Sequence, residues 1–177
     1  MDFKELVARR RSHRKYSEEP VAEADLKKIL RAALMSPSSK CRRDWQFIVV
    51  QDKEVIKQLA ASKSAGSQFL EGTPLAIVVT GNEDTNDCWI EDASIAAITM
   101  QYQAEELGLG SCWIEIRGRA TEAGQDAEDY IRQLMSLPQQ MRVLCVVAIG
   151  HATDERRMQN EDKLKWENVH MVPSSEK

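Results

Sequence analysis

Apolar residues in this chain recur either at helical spacing or in short runs. The segment 22–35 shows the i, i+3, i+4, i+7, i+8 spacing of an amphipathic helix, carried by Leu26, Ile29, Leu30, Ala33 and Leu34. Pro37 predicts where this helix ends, because proline cannot continue a helix. Mostly apolar runs predict four strands, at 46–50, 75–80, 111–116 and 143–149. The last run is apolar throughout, which is typical of a central strand.

Four further segments are predicted to be helical: 2–10, 53–62, 87–107 and 120–134. The middle of the longest, 93–100, is apolar on nearly all sides, so we expect it to be buried inside the domain or against another subunit. Three acids near its start lie on one helical face: Asp87, Glu91 and Asp92. They could serve acid–base chemistry or a metal, but the favoured interpretation is solvated acids that complement the helix dipole.

The loose alternation of helices and strands indicates one mixed α+β or three-layer domain over 1–177. This length suffices to bury a sizeable core, and no repeat or linker divides the chain. After the last apolar run, only 169–172 has the character of a strand. We expect 173–177 to form a disordered tail.

Composition narrows the classes of function. The net charge of −4 argues against a general nucleic-acid binder. No apolar stretch approaches the roughly 18 residues of a spanning helix, and no signal region follows Met1, so we expect a cytoplasmic protein without a membrane partner. Four widely spaced cysteines favour reduced, mostly buried thiols over disulfides: Cys41, Cys88, Cys112 and Cys145. Three scattered histidines argue against a structural zinc site.

The segment 10–16 is strongly basic and therefore opposes the charge of the whole chain. Its sequence is Arg10-Arg11-Ser12-His13-Arg14-Lys15-Tyr16. Guanidinium groups and a hydroxyl match the oxygens of a phosphate, so the segment is a candidate anion site. The alternative is a solvated basic helix end. The chain contains no glycine-rich phosphate loop, no nucleophile elbow and no zinc-protease motif.

Four short motifs follow one another along the chain. They are Arg10-Arg11-Ser12-x-Arg14-x-Tyr16, then Ser36-Pro37-Ser38-Ser39 before Trp45-x-Phe47, then Gly108-Leu109-Gly110-Ser111-Cys112-Trp113, and finally Ile149-Gly150-His151. Their order and spacing resemble the nitroreductase family of FMN-dependent oxidoreductases, over roughly 3–172. The resemblance implies an α+β three-layer sandwich with a mostly antiparallel central sheet. It also implies an intertwined homodimer with FMN at the interface.

The resemblance assigns roles to these residues. Arg10, Arg11 and Ser12 would bind the phosphate and ribityl oxygens of FMN. Arg14 would lie near N1 and O2 of the flavin ring, where negative charge collects on reduction, and would raise the potential. The remaining implied contacts are Pro37, Ser38 and Ser39 from the other subunit, Gly110, Cys112 and Trp113 beside the ring, and Gly150, His151, Arg156 and Arg157 after the last strand. There are alternatives for some of these residues: Trp113 could pack in the core, His151 could have only a loop role, and the last two arginines could be solvated.

The loop after Ser39 departs from the family pattern. Cys41, Arg43 and Asp44 stand where the family commonly has Asn, Gln and Pro. Arg43 is therefore a candidate for a further cation at the cofactor, while the usual polar contacts of this loop are in doubt. The chain is also short for the family, which predicts an open flavin face and broad tolerance of acceptors.

The implied function is transfer of a hydride from NADH or NADPH through flavin N5 to a nitroaromatic, quinone or similar small acceptor. The cycle would be ping-pong, without a catalytic side chain and without a metal. Two alternatives remain: a flavin-binding or regulatory protein with little turnover, and a specialised flavin reaction such as dehalogenation or ring desaturation.

Overall fold

The computed structural model describes residues 1–172, so the predicted disordered tail at 173–177 lies outside the described residues. The helices are α1 (Phe3–Arg9), α2 (Glu23–Leu34), α3 (Lys53–Ala60), α4 (Trp89–Glu106) and α5 (Ala127–Leu134). The strands are β1 (Gln46–Val50), β2 (Leu75–Asn82), β3 (Gly110–Glu115) and β4 (Met141–Gly150). Three helices begin at an aspartate whose side chain accepts a main-chain N–H of the first turn: Asp2, Asp52 and Asp126.

The strands form one antiparallel sheet in the order β1-β2-β4-β3, which confirms the predicted sheet. β2 and β4 are the inner strands, and nearly all of their residues are buried. The pairing shifts once, because Val79 faces Cys145 while Thr80 faces Val143. Leu144 is therefore a bulge residue, and its side chain joins the same core as that of Cys145.

Alternation along the inner strands produces two cores, one on each face of the sheet. Ile77 and Val79 pack with α2 and α4 on one face. Ala76 and Val78 pack with α3 and α5 on the other. The helix layers on both faces confirm the three-layer α+β sandwich.

Two element predictions are wrong. The helix expected over 120–134 begins only at Ala127, because Gly124 takes a left-handed φ of 83° that closes a turn before the capping residue Asp126. The segment 169–172 forms no strand in the described part of the chain, where it is exposed throughout and pairs with no sheet edge.

Within the described chain α4 is buried on one side only, so it is not enclosed inside the domain. Burial of its other side against another subunit stays a prediction. The buried positions include Ala93, Ala96, Ala97 and Met100, whereas Ile95 keeps 38% of its surface exposed. On the neighbouring α2, Leu34 is 56% exposed although it belongs to the predicted apolar face. Part of the apolar surface of this layer therefore remains uncovered by the chain itself.

The expectation of mostly buried thiols is correct for two of the four cysteines. Cys112 and Cys145 are buried, whereas Cys41 is exposed and Cys88 is half-buried. All four are free thiols. Among residues 1–172, no helix combines the length and apolar character needed to cross a bilayer.

Candidate functional site

The segment 11–17 lies across the ends of β3 and β4 and joins parts of the chain that are far apart in sequence. The His13 main-chain N–H donates to the carbonyl of Ser111 at 2.9 Å. On the other side, the N–H of Thr153 donates to the carbonyl of Lys15 at 3.0 Å. Three groups of predicted site residues therefore share one end of the sheet: those in 10–14, in 110–113 and in 150–156.

Two glycines allow this crossing, because a side chain would not fit where the backbones meet. A Cβ on Gly110 would lie 2.6 Å from the Cβ of Ala152 and 3.0 Å from that of His13. A Cβ on Gly150 would lie 2.8 Å from two ring carbons of Pro74. Distances below 3.0 Å essentially never occur for real Cβ atoms. The packing therefore leaves room only for glycine at Gly110, beneath the crossing segment, and at Gly150, beside Pro74.

The Asp154 carboxylate joins the two sides of the crossing. Its Oδ1 lies 2.8 Å from Nδ1 of His13, and its Oδ2 accepts the main-chain N–H of Arg14 at 3.2 Å. Oδ2 also accepts from Nε and Nη2 of Arg156, at 3.0 and 2.8 Å. Desolvation acts to raise the pKa of this carboxyl, but the hydrogen bonds outweigh it and hold the pKa below its ordinary value. Asp154 therefore remains ionised at neutral pH.

The Cys112 thiol lies close to several of the positive charges. Burial raises its pKa, while four neighbours act in the opposite direction: Arg14, Ser12, Arg10 and Arg156. Three guanidinium groups are therefore near enough to the start of β3 to act on the same thiol. Such a concentration of cations in a partly buried place attracts an anion.

Tyr16 shapes the turn that carries Arg14. Its hydroxyl donates to the carbonyl of His13 at 2.6 Å. Burial is the largest of the effects that raise the Tyr16 pKa above its ordinary value, followed by the nearby Cys112 and Asp154. The phenol therefore stays protonated and acts as a hydrogen-bond donor within the turn.

The arginines of this end differ in what they already bind. Nη1 of Arg11 donates to the carbonyl of Arg157 at 2.7 Å, and Arg156 is bound to Asp154. The side chains of Arg10 and Arg14 have no hydrogen-bond or ion-pair partner within residues 1–172. These two guanidinium groups are available to a ligand.

His151 and Trp113 each have a partner within the chain. Nε2 of His151 lies 3.7 Å from a carboxylate oxygen of Glu19. The indole N–H of Trp113 donates to Glu115 at 2.8 Å. Both side chains are half-buried, so neither is fully enclosed in the core.

The predicted turn Pro37-Ser38-Ser39 lies at the opposite end of the sheet, against the start of α4. The main-chain N–H of Ser39 donates to Oδ1 of Asp92 at 2.9 Å, and Nδ2 of Asn86 donates to Oδ2 of Asp92 at 2.7 Å. Asp92 is only 4% exposed. The expectation of a solvated acid at this position is therefore wrong, because the carboxylate anchors the turn to the helix.

The loop that follows this turn has a left-handed backbone at three positions. Lys40, Cys41 and Arg43 have φ values of 51°, 53° and 55°. The main-chain N–H of Arg43 donates to Oγ of Ser38 at 3.0 Å, which joins the loop back to the turn. The loop residues 40–43 are exposed, so the positive charge expected of Arg43 is at the surface.

The length of α4 separates the two groups of predicted site residues. Its 18 residues span about 27 Å at 1.5 Å per residue. The turn 37–39 is at its N-terminal end, whereas the basic segment follows Arg9, whose Nε lies 3.7 Å from Glu105 near the C-terminal end. One chain therefore does not bring the two groups together.

The group formed by Arg10, Ser12 and Arg14 suits a phosphate-bearing ligand. It offers charged and neutral donors, and the acid beside it, Asp154, is already paired. Within the described residues, no three or more His, Cys, Asp or Glu side chains are grouped as metal ligands would be. The charged and neutral donors of Arg10, Ser12 and Arg14 favour binding of an anionic ligand.

Asp154 and Asp92 are the two site residues whose contacts the sequence did not indicate. The only local signal for Asp154 is an acid in a stretch of mixed charge after Gly150, Asp154-Glu155-Arg156-Arg157, which by itself has no structural meaning. Asp92 lies on a predicted helical face, but helical periodicity does not show which segment covers that face.

Comparison with known proteins places this arrangement in a family. The model of the family described as nitroreductase matches residues 7–66 and 57–151. A solved FMN-dependent nitroreductase from Clostridium difficile R20291 has a TM-score of 0.92 and 44% identity, covering 96% of this chain and 98% of that chain. An NADH dehydrogenase of Thermus thermophilus is 34% identical, with 88% of this chain and 89% of the relative covered. An FMN reductase (NAD(P)H) of Bacillus subtilis is 32% identical, with 81% and 63% covered.

Substitution of Gly110 tests the crossing of the basic segment over β3. In Gly110→Ala the new Cβ would clash with that of Ala152 at 2.6 Å, so we expect a loss of about 1–3 kcal/mol in the free energy of unfolding, measured by urea denaturation. Adding Ala152→Gly should restore part of this loss.

Gly72→Ala is the matched control, because a Cβ there meets no atom within 4 Å and should change stability by no more than about 0.5 kcal/mol. Equal losses in the Gly110→Ala and Gly72→Ala variants would contradict the interpretation.

Proposed function

This chain belongs to the nitroreductase family, and we propose that it is an FMN-dependent oxidoreductase that uses NADH or NADPH to reduce small acceptors. The observation that carries the proposal is the pair Arg10 and Arg14, two guanidinium groups without a partner in the described chain, beside Ser12 at the glycine-lined end of the sheet. The names of relatives that cover most of this chain support FMN as cofactor and NAD(P)H as donor.

Arg10 and Ser12 are proposed to hold the FMN phosphate. A phosphate monoester carries between about 1.5 and 2 negative charges at neutral pH, and guanidinium donors match its oxygens in pairs. Arg11 would contribute the donors that it does not use on the carbonyl of Arg157. Arg156 would contribute Nη1 and the second N–H of Nη2, because its Nε and one N–H of Nη2 already donate to Asp154.

Arg14 is proposed to lie at the flavin ring instead of the phosphate. A fixed cation near N1 and O2 would stabilise the charge that forms on reduction and thus raise the potential. The start of β3 would pass beside the ring, with contacts from Gly110, Cys112 and Trp113. Since the Cys112 side chain is buried, its main chain is the proposed contact. Gly150 and His151 would border the site from the end of β4.

The second half of the site is proposed to come from another copy of the chain. In a two-fold dimer each turn could meet the partner's basic segment, and the turn would supply Pro37, Ser38, Ser39 and Arg43. Large exposed apolar side chains support such an interface, since monomers rarely leave extended apolar surface in water. They include Phe3 at 71%, Ile95 at 38% and Trp166 at 70% exposure.

When bound, FMN would supply the redox chemistry, which is transfer of a hydride between the nicotinamide nucleotide and a second substrate. The chain supplies binding, orientation and charge. We assign no acid–base step to a side chain. Burial keeps the Tyr16 phenol protonated, and the hydrogen bonds from His13, Arg14 and Arg156 keep Asp154 ionised. We propose that nucleotide and acceptor would use the same flavin face in turn, in a ping-pong cycle. Nitroaromatics, quinones and similar compounds are the proposed acceptors.

Anaerobic absorbance spectroscopy of the purified protein tests this function. We expect flavin absorbance bands that NADH or NADPH bleaches and that a nitroaromatic or quinone then restores. A protein that is colourless and does not take up added FMN would refute the proposal. Bound FMN that neither nucleotide reduces would instead support a flavin-binding or regulatory protein.

Two single substitutions separate the proposed roles of the available arginines. Arg10→Ala should raise the dissociation constant of FMN by about tenfold or more, because it removes charged hydrogen bonds to the phosphate. Arg14→Ala should chiefly lower the flavin potential, by tens of millivolts, since about 30 mV corresponds to a tenfold change for a two-electron couple. Fluorescence titration and dye-coupled reduction measure the two effects. Full flavin content in Arg10→Ala would contradict the phosphate assignment.

Co-expression of two differently tagged variants tests the shared site. Arg10→Ala damages the basic segment, and Asp92→Ala removes the anchor of the turn, so each homodimer should lose tight FMN binding. In the mixed dimer, one site combines the intact segment of the Asp92→Ala chain with the intact turn of the Arg10→Ala chain. We therefore expect one tightly bound FMN per mixed dimer, measured by flavin absorbance. A site built within one chain would leave the mixed dimer without any tight site.

A further inference from the structure

Asp154 is a carboxylate placed among the groups that are proposed to attract a phosphate. Its own charge has the wrong sign for that ligand. Its side chain is only 12% exposed, so the chain keeps an acid close to the site and largely removed from water. An acid in this place needs a role other than ligand binding.

The contacts of Asp154 show what that role is. Oδ1 is occupied by the ring of His13, and Oδ2 accepts the main-chain N–H of Arg14 and two N–H groups of Arg156. His13 and Arg14 belong to the crossing segment, whereas Arg156 belongs to the chain after β4. One carboxylate thus joins the two separate segments that carry the positive charge.

We propose that Asp154 is a positioning residue for the phosphate end of the cofactor site, which it builds by orienting the crossing segment and Arg156 before the ligand arrives. This inference rests on the proposed FMN-dependent function. Arginine side chains have many rotamers, and ordering them costs binding free energy. The paired Nε and Nη2 of Arg156 remove part of that cost in advance. The bonded main-chain N–H of Arg14 fixes the backbone of the crossing segment, which carries Ser12.

Two effects of the carboxylate oppose each other, and they predict opposite changes in the dissociation constant of FMN when the carboxylate is removed. Its charge repels a phosphate, so removing it would tighten FMN binding if charge alone mattered. Its hydrogen bonds order the donor groups, so removing it would weaken FMN binding if the placement of these donors were the larger effect. Because Arg156 forms an ion pair with the carboxylate at 2.8 Å, much of its field is balanced locally. The positioning effect therefore dominates.

The experiment compares binding of FMN and riboflavin to the full-length chain freed of flavin by dialysis. In Asp154→Ala we expect the dissociation constant of FMN to rise about tenfold or more, with a much smaller change for riboflavin, which lacks the phosphate. Asp154→Asn keeps the size and one acceptor oxygen, so its effect should be intermediate. Glu155→Ala is the matched control, because it removes the same charge from an exposed neighbour and should leave FMN binding unchanged or slightly tighter.

The possible outcomes are distinguishable. FMN binding in Asp154→Ala as tight as in the wild type, or tighter, would overturn the inference and leave Asp154 as a counter-charge only. Equal weakening for FMN and riboflavin would also overturn it, since a general loss of structure would not discriminate between the two ligands. If Asp154→Ala does not fold, the ratio of the two constants in Asp154→Asn decides in the same way. A wild-type chain that binds neither flavin would refute the proposed function, and this inference with it.

Discussion

The antiparallel pairing of β2 with β4 is the interaction on which the rest of this molecule depends. Both strands are apolar and buried on both faces, so each face needs a layer of helices. α2 and α4 cover one face, and α3 and α5 cover the other. The direction of these strands then decides which connecting segments meet at each end of the sheet, and the candidate site residues belong to those segments.

Each end of the sheet uses a largely buried carboxylate to hold a segment in place. Asp154 joins the basic segment to the chain after β4, and Asp92 joins the turn 37–39 to α4. A largely buried acid is tolerated only where hydrogen bonds or cations compensate its desolvation, and both acids have such partners. The two acids therefore organise the polar ends, whereas the apolar strands organise the middle.

The separation of these two ends is the reason for proposing that two copies of the chain build the site together. The helix between them spans about 27 Å, set by its 18 residues. The exposed face of α4 includes Ile95, which gives a second copy an apolar surface to cover. A two-fold arrangement would thus meet two needs with one contact: it would bury apolar surface, and it would bring the turn to the arginines.

Local patterns in the sequence determined the four strands and the helix around Ile29, because strand and helix periodicity are properties of neighbouring residues. The motifs by which the family is recognised are also short runs of neighbouring residues, read in their order along the chain. Helical spacing did not show that the segment before Ala127 is a turn, because the left-handed Gly124 and the capping residue Asp126 delay the start of the helix. They also did not show the contact of His13 with Asp154, which joins positions 141 residues apart. Only the tertiary structure decided which arginines are already bound and which remain available. That distinction depends on distances between segments, and a one-dimensional pattern contains no such distances.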